Sequence, residues 1–493
     1  MVFRTPAIGK NGMVVTAHPL ATASALNILR KGGNAVDAAL AASSVLSVVL
    51  PSQNGIGGDF FALYYNGKEV KALNASGYAG SDLKNLMDLE KMPLTGPLTI
   101  TVPGISYGWY SLSKYATFEL KNIFSDAIKY ANDGFPLSLH LVEQINSNSE
   151  KISENNFLKN KFKDPYLGKI IKSKELAKTI ETIAEDPLSL YKGYLSDSIG
   201  RFLKDIKSTI TVEDLNNYES FFDEPLWTEY RDYRIYETPP NSQGATALLM
   251  LKKLKDYDFT KMKESEIIEK IVKAKIESFS IRDKYITDRK FLSDEFFNIL
   301  KNFKGGDGDT VYFNVVDGEG NALSCIQSIY HSFGSGIADP KTGIIFQNRG
   351  SYFSLDKNNV NRIEPRKRTL HTLMAGMAFS EDDMIVFGAA GAEGQPQTHV
   401  QLLINIIDRK MNVQESVEYP RFIHGRYIAD DYNSIRLERR FSEKTIEELL
   451  SKGYEIKIVD DLDDTMGDAN VILKRDSLIG GADPRRDSTG LGY

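Results

Sequence analysis

An α+β fold, with sheets covered by layers of helix, is what the sequence predicts, and three observations carry it. Short runs of β-formers pair around tight turns at 59–74, 310–330 and 372–387. Such runs read as antiparallel hairpins. Helical stretches are grouped between these hairpins, as in sheets packed under helix layers. One run, 35–50, is apolar nearly all round and therefore belongs at the centre of the molecule.

The elements follow in order. Residues 18–31 form an amphipathic helix with Arg30 and Lys31 in its last turn, ended by Gly32-Gly33. Asn34 caps the central apolar helix. Two strands flank Asn66-Gly67 in 59–74. A mostly helical middle spans 107–205, and its charged stretches read as solvated helix faces. Strand is expected over 226–238 and helix over 245–253, with helical, charged sequence continuing to 303. The glycine-rich stretch 304–309 is a linker. Strands at 310–316 and 322–330 follow, and a second hairpin occupies 372–379 and 384–387. An apolar helix at 400–407, a short helix at 413–418, strand 435–439, helix 442–452 and strands 454–459 and 470–474 complete the chain.

Composition narrows the function. The chain has 493 residues, 42% hydrophobic and 26% charged, enough for a large core. Its 60 basic and 66 acidic residues give a net charge of −6 without a basic patch, so nucleic acid is not expected as a partner. The start of the chain lacks a long apolar core, and the run at 35–50 is shorter than the ~20 residues of a membrane span. A cytoplasmic protein without a membrane partner is therefore expected. The single cysteine, Cys325, excludes an intrachain disulfide and reads as a small buried strand residue. The six histidines show no metal-ligand spacing, and phosphate-loop, zinc-protease, serine-elbow and dinucleotide signatures are absent. Neither a metal nor a cofactor is expected.

The candidate chemistry centres on Thr310. The linker GGDGD runs into it, and it opens a hairpin. If the bond between Asp309 and Thr310 breaks, the threonine gains its own base, the free α-amine beside its hydroxyl nucleophile.

Ordered segments across nearly the whole chain resemble the γ-glutamyltranspeptidase family of N-terminal-nucleophile hydrolases. They include HPLATASALNILRKGGNAVDAALAASSVLSVVLPSQNGIGGDFF, ETPPNSQGATAL, RDKYITDRKF, DTVYFNVVDGEGNALSCIQSIYHSFGSGI, GAAGAEG and GGADPRRDSTGLGY. The resemblance implies a four-layer αββα sandwich. It implies a precursor cut before Thr310 into segments 1–309 and 310–493, which stay together as a heterodimer. It makes Ser328 the second hydroxyl beside the nucleophile, and Gly391 and Ala392 the N–H donors of the oxyanion hole.

This sequence departs from the family where a γ-glutamyl head is bound. Ser76 stands near the place of the carboxylate-binding arginine, and Tyr330 replaces an asparagine. Arg349 replaces a glutamine, Tyr352 replaces the amine-binding aspartate, and His371-Thr372 replace a serine pair. A buried ammonium without a counter-charge costs several kcal/mol. The expected substrate is thus a small-molecule amide whose acyl group lacks that ammonium. A genuine γ-glutamyltransferase acting on glutathione and an uncleaved binding homologue are the alternatives.

Overall fold

Alternation along one central hairpin sets the layering. The computed structural model describes residues 4–293, 295, 311–426 and 431–493. Strands β10 (Val311–Asp317) and β11 (Ala322–Ser328) pair antiparallel, with Val311 opposite Gln327 and Val316 opposite Ala322. Successive side chains of a strand point to opposite faces. Phe313, Val315, Leu323 and Cys325 pack into a core shared with helices. Tyr312, Val316, Ala322 and Ile326 pack against Met377, Val386 and Ile472 of a second sheet. The far face of that second sheet, with Ile235, Ala378, Ile385 and Phe387, meets further helices. Three cores separate four layers, giving the αββα order.

The first sheet runs β19-β2-β10-β11-β3-β4-β7, and the second β1-β18-β17-β13-β12-β9-β8. The first contains β2 (Gly12–Thr16), β3 (Asp59–Tyr65), β4 (Val70–Ala75), β7 (Phe221–Asp223) and β19 (Thr489–Gly492) beside the hairpin. The second contains β1 (Ala7–Gly9), β8 (Leu226–Tyr230), β9 (Tyr233–Glu237), β12 (Gly376–Phe379), β13 (Met384–Ala389), β17 (Ala469–Lys474) and β18 (Leu478–Ala482). A small sheet, β14 (Phe422–Arg426), β15 (Asp431–Glu438) and β16 (Ile456–Val459), flanks the second helix layer, and β5 (Phe135–Pro136) pairs with β6 (Ile170–Ile171). Helices α1 (Pro19–Arg30) and α2 (Ala35–Val49) cover the first sheet. Helices α3 (Gly244–Leu254), α4 (Glu264–Tyr285) and α5 (Gln395–Leu403) cover the second. Among the described residues, no helix is long and apolar enough to cross a membrane.

Helix α2 is buried along all its residues, so its polar groups need internal partners. Asn34 and Asp37 form a reciprocal capping box at its start. Ser43 donates to Gln327 Oε1 at 2.5 Å, and Gln327 Nε2 donates to Asn54 Oδ1 at 2.6 Å. A single glutamine thereby ties the central hairpin to the central helix.

Four expectations change. The strand expected from 372 begins only at Gly376, because 372–375 runs as irregular backbone beside the site. The helix expected at 400–407 starts at Gln395 and passes into a wider turn over Ile404–Asp408. The helical run expected to reach 303 ends at Tyr285, and its last residues lie outside those described. Strand 470–474 is expected to be the last element, and two more strands, β18 and β19, follow it. At β18 small residues are needed because a Cβ on Gly481 would lie 2.6 Å from the Val413 carbonyl oxygen.

The C-terminal DPRRDS run is structural. Arg485 is buried, bonding Glu438 Oε1 at 2.6 Å and Asp483 Oδ1 at 3.0 Å, while Arg421 reaches Asp483 Oδ2 at 2.8 Å. Breaking such a buried set by removing one partner costs about 3–5 kcal/mol.

Close approach between the two sheets yields a stability prediction. A Cβ on Gly388 would lie 2.2 Å from the ring of Tyr312, which is fully buried. Gly388→Ala is expected to destabilise the fold by about 1–3 kcal/mol, seen as a lower midpoint in urea unfolding.

Candidate active site

The last residue of β11 anchors the site. Ser328 lies opposite Asp59 of β3 and is 1% exposed. It shares a strand face with Ser324 and Ile326, the face turned toward the second sheet. Its hydroxyl accepts the Tyr330 N–H at 2.7 Å. A Cβ on Gly58 would lie 2.2 Å from the Ser328 carbonyl oxygen, so the glycine turn of NGIGGDF presses directly on this position. Thr310 and Asp309 lie outside the described residues, and Val311, which follows them, heads β10 opposite Gln327.

Four of the pocket residues expected from the sequence come together. Tyr330 adopts a positive φ of 75°, an uncommon conformation for a bulky residue. Its ring stacks on His331 with centroids 4.1 Å apart, and the Arg349 guanidinium sits 3.8 Å from its centroid. Arg349 is fully buried and donates from Nη1 to the Thr372 hydroxyl at 2.6 Å. Tyr352 meets the Tyr330 ring edge-on at 5.9 Å and donates to Glu393 Oε1 at 3.2 Å. Tyr330, Arg349, Tyr352 and Thr372 thus form one continuous group that reaches the loop at 391–394.

His371 and Ser76 stand one step behind that group. His371 Nε2 bonds Asp59 Oδ2 at 2.6 Å, and its Nδ1 accepts the Leu373 N–H at 3.1 Å. The imidazole is therefore the Nε2–H tautomer. Burial lowers its pKa to about 4, Arg349 pushes the same way, and Asp59 opposes them, so the ring is neutral. Asp59 also accepts the Gly77 N–H at 2.6 Å and the Gln347 amide at 3.0 Å. The Ser76 hydroxyl is directed at Asn74 Oδ1, 2.7 Å, and Asn241 Oδ1, 3.2 Å. A chain of contacts leads from Ser76 through Gly77, Asp59 and His371 to Thr372 and Arg349.

The glycine-rich loop closes the other side. Gly391 and Ala392 have φ values of 128° and 53°, a sharp reversal just before α5. The loop is held from behind, where Ala390 N donates to the Asp468 carbonyl at 2.6 Å and Asp468 N returns a bond at 3.3 Å. Glu393, 4% exposed, lies in the field of Arg282 and Lys275 of α4. Burial, with Arg282 nearby, lowers the Lys275 ammonium to about 8, while Glu393 and Asp283 oppose the shift. Asp59, Glu393 and Arg282 were not singled out in the sequence. Each sits inside a segment that carries the family resemblance, yet only the fold shows which way its side chain turns. Among the described residues, no cluster of three or more His, Cys, Asp or Glu is arranged to hold a metal.

Comparison with known proteins fits this geometry. The γ-glutamyltranspeptidase family model matches residues 21–305 and 301–493. A glutathione hydrolase-like proenzyme of Bacillus subtilis is 38% identical, with 98% of this chain and 99% of that protein aligned. An oxamate amidohydrolase proenzyme of Klebsiella pneumoniae is 32% identical, with 99% of each aligned. The crystal structure of a cephalosporin acylase from Bacillus halodurans superposes with a TM-score of 0.91 at 33% identity, covering 99% of this chain and 97% of the other. With the family model matched over nearly the whole chain and relatives of 38% and 32% identity aligned over nearly their full lengths, the chain belongs to the γ-glutamyltranspeptidase family.

Proposed function

We propose that this enzyme cuts itself before Thr310 and then hydrolyses a small-molecule amide whose acyl group carries a carboxylate and no α-ammonium. It is an amide hydrolase or acyltransferase of its family, and the proposal concerns its residues and its substrate. In the first reaction the Thr310 hydroxyl attacks the Asp309 carbonyl, and the peptide bond becomes an ester. That shift breaks the C–N bond and frees the α-amine; water then hydrolyses the ester to the Asp309 carboxylate and the free hydroxyl, leaving segments 1–309 and 310–493 as a heterodimer. In the second reaction the same hydroxyl attacks the substrate carbonyl and its proton passes to the α-amine. The tetrahedral oxyanion is met by the N–H groups of Gly391 and Ala392. The amine carries the proton to the leaving nitrogen, and water then releases the acyl group. Ser328 orients the nucleophile.

The observation that carries the substrate reading is the buried Arg349, held between the Tyr330 ring and the Thr372 hydroxyl. A guanidinium fixed on an aromatic face is suited to a carboxylate. The ammonium of a γ-glutamyl group would need an anion instead. The aspartate of the family is Tyr352 here, and the nearby Glu393 carboxylate already faces Tyr352, Arg282 and Lys275. The names of two relatives, oxamate amidohydrolase and cephalosporin acylase, accord with amides other than γ-glutamyl ones. A third relative is called glutathione hydrolase-like, which keeps a γ-glutamyl substrate as the competing reading.

Two outcomes are expected. On a denaturing gel the purified protein runs as two chains, and Thr310→Ala runs as one. A wild type that stays whole would support an uncleaved binding homologue. In p-nitroaniline release, the glutaryl anilide is turned over faster than the γ-glutamyl anilide, which differs from it by the α-amine. Arg349→Gln lowers kcat/KM for the glutaryl compound by about 10- to 100-fold, the size of a lost charge-assisted bond. Faster turnover of the γ-glutamyl anilide by the wild type would reverse the substrate assignment.

A further inference from the structure

A second buried pair lies outside the pocket, on the helix that continues the glycine loop. His399 is in the second turn of α5, eight residues after Gly391, and Glu237 ends β9. Both side chains are 0% exposed, and His399 Nδ1 lies 2.8 Å from Glu237 Oε1. The surroundings are close-packed. A Cβ on Gly244, at the start of α3, would meet the Glu237 Cβ at 2.5 Å. The Phe387 ring meets His399 edge to face at 5.1 Å, and it lies over Gly376, the β12 residue paired with Glu237.

Helix α5 is also tethered to β14, where Gln401 donates to the Phe422 carbonyl at 2.9 Å and accepts its N–H at 3.3 Å. Gln397 pairs with His424 of β14, accepting its N–H at 2.9 Å and donating to its carbonyl at 3.2 Å. Gln397 fixes one side of the helix to the small sheet, and His399 fixes the next side to the second large sheet. Hydrophobic contact is non-directional and leaves a helix free to slide or rotate slightly. Two directional bonds on different faces remove that freedom. The N-terminus of α5 is continuous with residues 391–394, so the rotation of the helix sets where the loop N–H groups point.

We infer that Glu237 and His399 are positioning residues that hold α5, and through it the Gly391–Ala392 loop, in register with the nucleophile. This rests on the proposed use of that loop as an oxyanion hole. Burial drives the glutamate well above its usual range and lowers the histidine to about 3, so both are pushed toward their uncharged forms. An uncharged amide should therefore replace either partner.

Matched pairs of variants test this, with glutaryl p-nitroanilide as the probe. Glu237→Gln and His399→Asn keep a hydrogen-bonding group of similar shape, whereas Glu237→Met and His399→Leu remove it. The amide variants are expected to keep kcat within about threefold of wild type, and the apolar variants to lose tenfold or more, with KM changed by less than about twofold. All should run as two chains on a denaturing gel. If one apolar variant does not fold, the other carries the comparison. Equal kcat within each matched pair, or a change confined to KM, overturns the inference and leaves the proposed function standing. A wild type that stays whole and releases no p-nitroaniline overturns the proposed function, and this inference with it.

Discussion

The β10–β11 hairpin is buried on both faces, and the rest of the structure depends on how its polar groups are matched. A buried donor or acceptor without a partner costs about 1–3 kcal/mol, so each one constrains its neighbours. On the sheet–sheet side, the Tyr312 hydroxyl bonds Ser324 at 2.7 Å, and Asn314 donates across the gap to the Val386 carbonyl at 2.9 Å. On the helix side, Gln327 engages α2 and Asn54. A slip of one residue would turn Gln327 toward the sheets and Tyr312 toward the helices, leaving both unmatched. Register is thus fixed by polar groups as well as by apolar packing. The ends of the hairpin, Val311 and Ser328, are as buried as its middle.

The buried cation in the pocket obeys the same accounting. Desolvating a guanidinium is costly unless it is paired and bonded. Arg349 meets an aromatic face and a hydroxyl, both good partners. Behind it, the neutral His371 and the carboxylate of Asp59 hold the backbone that carries Thr372. In the proposed reading this group is a specificity element built into side chains, distinct from the backbone groups assigned to the reacting carbonyl.

Much of the fold was legible in the sequence because local signals agreed with the final packing. Asn66-Gly67 marked the β3–β4 turn, Asn34 marked the start of α2, and the alternation through 311–328 marked the hairpin. Strands β18 and β19 were not legible. Gly481 and Gly492 answer to backbone packed against them, and Gly480 and Gly490 to the side chains of Met13, Val15 and Ala7, contacts between segments far apart in sequence. The site divides in the same way. Ser328, Gly391 and Ala392 sit in motif segments, while Tyr330, Arg349, Tyr352 and Thr372 were flagged only as departures, and their mutual stacking could not be read from spacing. His371 turns toward Asp59, and Ser76 toward Asn74 and Asn241, contacts that spacing does not show. The Glu237–His399 bond joins residues 162 positions apart and leaves no local signal.

The division between retained chemistry and rewritten pocket has a structural cause. The groups assigned to the reaction are held by regular elements or by main chain: a serine at a strand end, and loop N–H groups leading into α5. Replacing them would disturb a sheet register or a helix start. The pocket side chains sit on irregular backbone, in the turn after β11, the short turn Arg349–Tyr352 and the run before β12. Tyr330, Arg349, Tyr352 and Thr372 are not themselves part of the three main cores, which take Ile329, Phe333, Leu373, Met374 and Ala375 from the same segments. A glutamine can become an arginine there, and an aspartate a tyrosine, without repacking the layers. One αββα frame can therefore keep its bond-breaking geometry while the acyl group it selects changes charge. What limits such change is the polar support behind the loop, because Glu237 and His399 are enclosed on all sides and have no irregular backbone in which to adjust.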